Sequence, residues 1–314
     1  MSEIRQLPLF QNQPASPEDL NRYTAFKYTV PLFQKHLIKE GKSQHTVNAF
    51  TSDLQLLAEH SGDDLAVGKY TTNMLNEFLD WLEHGRGVPC SRKSYARRVT
   101  TLKVFFKWLH QIGAIPHDPA KPVLQRSGPA PLAVILSSDE IRQALLAARE
   151  MRRGDEIDTR PEMLYRLILD TGIKKSEALA LKPTDIDRSN PRHPMLAVRH
   201  KARNIYKERR IELDPDWVRL FDHYMSQYMP HETIFNCTAR NLEYILTDVG
   251  EIAGIPTKLS FEMLRWTCAV RDIRAGLDED FVRDKLGLSP VSWQETRSKI
   301  RKLIDLQAAQ EVHV

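Results

Sequence analysis

Cysteine is scarce in this chain: the 314 residues include three, Cys90, Cys237 and Cys268, which lie far apart in the sequence. None belongs to a Cys-x-x-Cys pair or to a Cys/His group with zinc-ligand spacing, so neither a disulfide framework nor a structural zinc site is indicated. The three residues are typical of free thiols in a reducing compartment. We therefore expect no metal site and no cofactor.

Long apolar runs are also absent from the sequence. No stretch approaches the ~18 residues of a membrane span, so no membrane partner is expected. The opening segment, "MSEIRQLPLFQNQPASPEDL", has no basic region followed by an apolar run and does not resemble a secretory signal. The sequence thus predicts a cytoplasmic protein.

The length and the hydrophobic spacing predict two domains at roughly 100–200 residues each. Residues 1–22 are polar and show no helical or strand periodicity, which predicts a flexible tail. Four amphipathic helices over 23–111 follow, of which the second carries an apolar stripe of Val47, Phe50, Leu54 and Leu57. Proline and small residues predict a linker over 112–132.

The second predicted domain, 133–314, is mostly helical, with Ser138 as the expected N-cap of its first helix. The stretch "MLAVRHKARNIYKERRIEL" alternates apolar and polar residues and predicts a small antiparallel sheet with a basic hairpin. The predicted fold class is therefore mainly α, with an N-terminal four-helix domain and a mostly helical second domain that contains one small sheet.

The net charge of +4 is mild, but the basic residues are clustered. One cluster is "SRKSYARR" with Lys103 beyond it, a second is the hairpin, and a third is Lys174, Lys175 and Lys182. A single cluster is usually a solvated face, whereas three clusters interleaved with Ser, Thr and Asn donors favour contacts with a polyanion. The pattern indicates a nucleic-acid-binding protein.

Several segments, in this order, resemble the tyrosine recombinases of the phage integrase family. "KSQHTVNAFTSDLQLLAEH" and "RRVTTLKVFFKWLHQIGAIPHDPAKPV" resemble the family's N-terminal core-binding (SAM-like) domain. "LILDTGIKKSEALALKPTDID", "YKERRIELD" and "FEMLRWTCAVRDIRAGLDEDFVRDKLGLSPV" resemble its catalytic domain. The resemblance implies a protein that clamps duplex DNA between two domains and attacks a phosphodiester with a tyrosine.

Several catalytic positions implied by the resemblance carry other residues here. The first catalytic arginine falls on Lys174, which supplies a point charge without a bidentate fork. The hairpin lysine falls on Lys201, with Lys207 as the alternative. The second arginine is Arg265, for which an internal salt bridge with Glu177 or Glu262 is the alternative role.

The remaining positions differ more strongly from the family pattern. The histidine of the His-x-x-Arg box falls on Glu262, and the histidine of the Leu-Gly-His segment falls on Leu288. The tyrosine nucleophile should lie near Arg297, yet Tyr244 is the last tyrosine in the sequence. On these grounds we expect a catalytically degenerate member, a pseudoenzyme, with no strand cleavage by this mechanism.

The leading hypothesis is a recombinase-fold protein that binds double-stranded DNA without cutting it, in an architectural, regulatory or accessory recombination role, associated with the nucleoid. Two alternatives are an enzyme with altered phosphodiester chemistry at Lys174, Glu262 and Arg265, and a protein-interaction platform. The candidate DNA contacts are polar or basic side chains: Ser43, His45, Thr46, Asn48, Arg97, Arg98, Thr101, Lys103, Lys174, Lys175, Lys201, Arg203, Lys207, Arg209 and Arg265.

A last amphipathic segment, "SKIRKLIDLQAAQEVHV", places Ile300, Leu303, Ile304 and Leu306 on a helix. The resemblance implies that such a segment can be exchanged with a neighbouring protomer. The partner would then be a second copy or a related recombinase, and packing on its own domain is the alternative.

Overall fold

A computed structural model of the chain describes residues 14–125, 131–202 and 205–311. The chain divides into two compact units, Met1–Ala130 and Pro131–Val314. The predicted fold class is confirmed: the chain is mainly helical, with a small antiparallel sheet in the second unit.

The α-helices of the first unit within residues 14–125 are α1 (Phe26–Lys39), α2 (Gln44–Ser61), α3 (Thr72–Asp80) and α4 (Arg92–Gln111). Ser43, Thr71 and Ser91 accept hydrogen bonds from backbone N–H groups in the first turns of α2, α3 and α4, as N-cap side chains do. The predicted stripe Val47, Phe50, Leu54 and Leu57 is buried and forms part of the core of this unit.

The core of the first unit reaches beyond the predicted domain limits. Leu20, within the predicted tail, is buried against the helices, whereas residues 1–13 lie outside the described part of the chain. Ala114, Ile115, Ala120 and Val123, within the predicted linker, are buried in the same core. The linker was predicted from its prolines, but the apolar residues between those prolines pack into the core of the first unit.

The second unit contains eight further helices in the described residues and two small sheets. The helices are α5 (Ser138–Glu150), α6 (Thr159–Thr171), α7 (Lys175–Ala180), α8 (Pro215–Tyr228), α9 (Ala239–Ile252), α10 (Phe261–Arg274), α11 (Glu279–Lys285) and α12 (Pro290–Glu311). The strands are β1 (Arg152–Arg153), β2 (Glu156–Ile157), β3 (Ile186–Asp187), β4 (Met195–Ala202) and β5 (Ile205–Glu212).

The predicted hairpin is present as β4 and β5, which pair antiparallel with Val198 opposite Arg209, and β3 adds a third strand beside β4. The N-cap of α5 is Ser137 rather than the predicted Ser138, because Ser137 and Glu140 form a reciprocal capping box. Buried side chains from α5, α6, α8 and α9 form the main core of this unit.

Within the residues that the structure describes, none of the helices is both long enough and apolar enough to span a membrane.

Candidate functional site

A glycine turn places Lys174 at the start of α7. Helix α6 ends at Thr171, and Gly172 adopts a left-handed conformation with φ of 61°. A Cβ on Gly172 would lie 2.7 Å from Leu286 Cδ2 and 3.2 Å from Cys268 Sγ, so the close packing requires glycine. The turn therefore places Lys174 at the N-cap position of α7.

Glu177 fixes the backbone at Lys174. The Lys174 N–H donates to Glu177 Oε2 at 2.8 Å. Arg209 of β5 forms a two-pronged contact with the same carboxylate, from Nη1 to Oε1 at 3.0 Å and from Nη2 to Oε2 at 2.7 Å. Both side chains are largely removed from water, with 4% of Glu177 and 15% of Arg209 exposed. This buried pair ties the hairpin to the start of α7.

Arg209 also connects the hairpin to the end of α11. Its Nε donates to the Lys285 carbonyl at 2.9 Å. A Cβ on Gly287 would lie 2.8 Å from Arg209 Nη1, so a glycine lets the chain pass the guanidinium. Burial raises the pKa of Glu177, but the hydrogen bonds from Arg209 and the Lys174 N–H outweigh burial, and the net pKa is lowered.

Arg265 of α10 uses its guanidinium to hold two backbone carbonyls. Nη1 donates to Gly172 O, and Nη2 donates to Leu286 O at 2.6 Å. Burial lowers the pKa of Arg265 to about 10. The predicted alternative was a salt bridge between Arg265 and Glu177. In the structure Glu177 pairs with Arg209 instead. Both of these hydrogen bonds from Arg265 go to main-chain oxygens.

Lys174 and Arg265 line a cleft of about 630 Å³ in the second unit. Its basic side chains are Lys174, Lys175, Lys258 and Arg265, and its acidic ones are Glu243 and Glu262. Cationic groups therefore outnumber anionic ones around the opening, which suits an anionic ligand.

The two neighbouring lysines of the cleft differ in environment. Burial lowers the pKa of Lys174, opposed by Glu177 and assisted by the positive charges of Arg265 and Arg209. Lys175 is 40% exposed, and its Nζ lies 2.5 Å from Glu243 Oε1. Lys174 is thus a half-buried cation beside another cation, an arrangement that a bound anion would relieve.

Of the positions that differ from the family pattern, Glu262 and Leu288 line the same cleft, and Arg297 does not. Glu262 is exposed in the first turn of α10, and Leu288 is partly buried against an apolar cluster. Arg297, exposed on α12, lies with its Nε 2.5 Å from Glu279 Oε2. Arg301 contacts the same carboxylate at 3.1 Å. Two arginines of α12 therefore share one carboxylate at the start of α11.

The final helix packs on its own domain. Trp293, Ile300 and Leu303 of α12 are buried in a cluster with Ala269 and Val270 of α10. Thr296 of α12 lines the cleft. In the single chain described, α12 thus packs in cis, and exchange with a neighbouring protomer stays a prediction.

The hairpin candidates are only partly described. Lys201 lies in β4 with Tyr206 as its register partner, and Arg203 lies outside the described residues. Lys207 is exposed near the end of the hairpin. Arg209, predicted as a DNA contact, instead points into the protein and bonds Glu177 and Lys285, so it is a correction to the predicted interface.

Candidate residues of the first unit gather at one end because α2 and α4 run in the same direction. Arg97 Nη1 donates to Ala49 O at 3.2 Å, and Thr101 Oγ1 donates to Asp53 Oδ2 at 2.8 Å. Both contacts join residues 48 positions apart, which requires parallel helices. The first turns of α2 and α4 therefore lie together, and the candidates there include exposed Ser43, His45 and Asn48 and half-buried Thr46.

Two candidates on α4 are corrected by their burial. Thr101 is completely buried, because it lies on the face of α4 that packs against Asp53 of α2. Arg98 is 11% exposed, with its Nη1 2.7 Å from Cys90 Sγ. Arg97 is 38% exposed, and Lys103 is half-buried. Arg97 is thus the arginine of this pair that reaches solvent.

Sequence reasoning missed Lys258, Glu243 and Asp53, and gave Glu177 no role at Lys174. Glu177 had half of a capping-box signal: a glutamate at the third position of a helix can accept from the N-cap N–H, although Lys174 has no side-chain acceptor to complete the box. Lys258 and Asp53 had no such signal, because both depend on tertiary contacts. In the described part of the chain, no cluster of three or more His, Cys, Asp or Glu side chains could hold a metal ion.

Comparisons with known proteins give a consistent match. Residues 30–113 match the model of the phage integrase N-terminal SAM-like domain, and residues 135–294 match the model of the phage integrase family. A structure of a lambda integrase dimer bound to a COC′ core site superposes with a TM-score of 0.69 at 16% identity, over 87% of this chain and 77% of that one.

A second solved structure, XerH site-specific recombinase bound to palindromic difH substrate, has a TM-score of 0.69 at 18% identity, over 95% of this chain and 91% of that one. Among curated proteins, tyrosine recombinase XerC of Mycobacterium leprae (strain TN) is 29% identical over 173 residues, or 54% of this chain and 56% of that protein. XerC of Mycobacterium tuberculosis (strain ATCC 25177 / H37Ra) is 28% identical over 167 residues, or 52% and 55%.

The chain spans about half the length of the curated relatives it matches. These relatives are named as recombinases, and recombinases are enzymes. This finding contradicts the expectation from the sequence that the chain is not an enzyme, and the term pseudoenzyme finds no support in it. The expected resemblance to the family itself is confirmed.

Proposed function

Because the chain belongs to the phage integrase family, we propose that it binds duplex DNA and acts in DNA recombination. The cleft of the second unit receives a backbone phosphate of the duplex. The observation that carries this proposal is the group of Lys174, Lys175, Lys258 and Arg265 around one opening. Lysine and arginine are the side chains that bind phosphate oxygens in protein–DNA complexes.

Lys174 is the residue to which we assign the phosphate contact. Its backbone is fixed by Glu177, which Arg209 in turn holds through a buried two-pronged contact. A half-buried amine whose pKa is lowered by burial gains most from an anionic partner, because the anion stabilises its protonated form. Lys174 gives charge without the planar fork of an arginine, so we expect phosphate binding there to be weakly directional.

Arg265 has a different part in the proposal. Two of its hydrogen bonds go to Gly172 O and Leu286 O. These bonds hold the guanidinium next to the floor of the cleft, and its charge is partly screened from water. We assign to Arg265 an electrostatic contribution to phosphate binding and the role of joining the Gly172 turn to the end of α11.

Fluorescence anisotropy with a labelled duplex, titrated at several salt concentrations, tests DNA binding. We expect affinity to fall steeply with salt, by about 0.9 in log–log slope per phosphate contact. Lys174→Gln should weaken binding and reduce the slope by about one contact. The exposed Lys302, which lies on α12 and does not line the cleft, provides Lys302→Gln as a matched control with little change in slope.

Salt-independent binding, or equal effects of Lys174→Gln and Lys302→Gln, would refute the assignment of the cleft as the phosphate site. Action on DNA strands is measured separately, by nicking of supercoiled plasmid. A specific product that disappears in Lys174→Ala supports a reaction at this cleft. Absence of any product from the unsubstituted protein would refute a reaction there, while DNA binding is judged by the anisotropy alone.

A further inference from the structure

A buried carboxylate connects the two parallel helices of the first unit. Asp53 of α2 is 3% exposed in its side chain and faces α4. Its Oδ2 accepts from Thr101 Oγ1 at 2.8 Å, and its Oδ1 lies 2.9 Å from Arg97 Nη2 and 3.6 Å from Arg98 Nε. A carboxylate removed from water is costly unless cationic and hydrogen-bonding partners surround it. Asp53 is therefore placed where it can hold arginine side chains.

The two arginines around Asp53 differ in their access to solvent. Arg98 is 11% exposed and directs Nη1 at Cys90 Sγ, so its guanidinium lies inside the unit. Arg97 is 38% exposed; its Nη1 donates to the Ala49 carbonyl, and its Nη2 forms an ion pair with Asp53 Oδ1 without hydrogen-bond geometry. A guanidinium has five N–H donors, so these two contacts leave donors on the solvent side.

The position of Arg97 follows from the parallel direction of α2 and α4. It lies in the second turn of α4, beside the second turn of α2. Exposed Ser43, His45 and Asn48 lie at the beginning of α2, at the same end of the unit. A fixed arginine among neutral hydrogen-bond donors matches the composition of surfaces that contact the DNA backbone.

We propose that Asp53 is a positioning residue for DNA binding by the first unit: it holds the Arg97 guanidinium so that the solvent-facing donors can form a fork with one backbone phosphate. The inference rests on the proposed DNA-binding function. It adds a second phosphate contact outside the cleft and a buried residue that acts through Arg97. An arginine that is already held loses less side-chain entropy on binding than one that is free.

A double-mutant cycle with Asp53→Asn and Arg97→Gln in the full chain tests this role by anisotropy with a labelled duplex. Arg97→Gln should weaken affinity and lower the salt slope by about 0.9, the value of one phosphate contact. Asp53→Asn should weaken affinity by about two- to tenfold, the cost of ordering one long side chain, while the slope stays nearly the same. In the Arg97→Gln background, Asp53→Asn should have no further effect.

If Asp53 had a purely structural role, the double-mutant cycle would give a different result. Additive effects, or unchanged affinity in folded Asp53→Asn, would overturn the proposal. Thr29→Val, which removes a buried hydroxyl that donates to Phe26 O at 2.7 Å in the same unit, is the stability control and should leave affinity unchanged.

If Asp53→Asn does not fold, Arg97→Lys tests the fixed fork as a whole, because lysine keeps the charge but loses both the fork to phosphate and the paired contacts with Asp53 and Ala49 O. We expect a similar loss of affinity with an unchanged slope, and wild-type affinity would contradict positioning. The two proposals fail in different ways. No salt-dependent binding by the unsubstituted chain refutes the proposed function, whereas binding with an additive cycle refutes only the role of Asp53.

Discussion

Glu177→Gln should destabilise the second unit far more than the same substitution at Glu243. Glu177 is 4% exposed and satisfies both Arg209, itself 15% exposed, and the Lys174 N–H. Glutamine has nearly the same shape but no charge, so Arg209 would remain buried without its anionic partner. Removing one member of a buried ion pair costs about 3–5 kcal/mol.

Glu243→Gln is the matched control because it makes the same chemical change in the same unit. Its pair with Lys175 is shorter, at 2.5 Å against 2.7 Å for Glu177 and Arg209, but the two side chains are 44% and 40% exposed. Exposed pairs contribute about 0–1 kcal/mol. The comparison therefore separates the effect of burial on stability from the effect of contact distance. If a short contact alone determined stability, both variants would lose similar free energies of unfolding.

Urea unfolding followed by tryptophan fluorescence measures both variants. The second unit contains Trp217, Trp266 and Trp293, which report on it. For a unit of this size, a loss of about 3 kcal/mol corresponds to a decrease in melting temperature of roughly 6–12 °C. Losses for Glu177→Gln and Glu243→Gln that agree within about 0.5 kcal/mol would refute the reasoning from burial.

Two further predictions concern the same region. Gly172→Ala should lose more stability than Gly254→Ala: both have positive φ, of 61° and 68°, and share a backbone cost of about 1–2 kcal/mol, but only at Gly172 would the new Cβ meet side chains. Equal melting temperatures would contradict this. The lowered pKa of Glu177 means that its contribution to stability is present above the ordinary value of 4.5 and is lost as the pH falls below it through the folded value. The difference in unfolding free energy between Glu177→Gln and the unsubstituted chain should thus shrink on acidification, and a difference that grew would oppose the assignment.

Hydrophobic spacing was sufficient to predict the helices of the first unit. The stripe of Val47, Phe50, Leu54 and Leu57 has a period that one buried face of a helix requires, and the structure buries all four. The small sheet was predicted from the alternation of apolar and polar residues in 195–213, and β4 and β5 form there. Both features depend on residues close together in sequence.

The polar contacts could not be predicted in this way because they join distant residues. Glu177 and Arg209 are 32 positions apart, and Asp53 and Thr101 are 48 apart. A helical stripe gives no information about which polar residue another helix will cover, so Thr101 was misplaced on the surface. The expectation of no enzymatic activity extended a few substituted positions to the whole protein, and the recombinases among its relatives contradict it.

Once the partly exposed Cys237 of the second unit is replaced, the remaining two cysteines give each unit one chemical reporter. Cys90 belongs to the first unit and is partly exposed, whereas Cys268 of the second unit is completely buried, and burial raises the pKa of its thiol to about 12. A thiol reagent should therefore modify Cys268 only when α10 separates from the Gly172 turn. The rate of that modification would measure opening at the base of the cleft, independently of whether the first unit has unfolded.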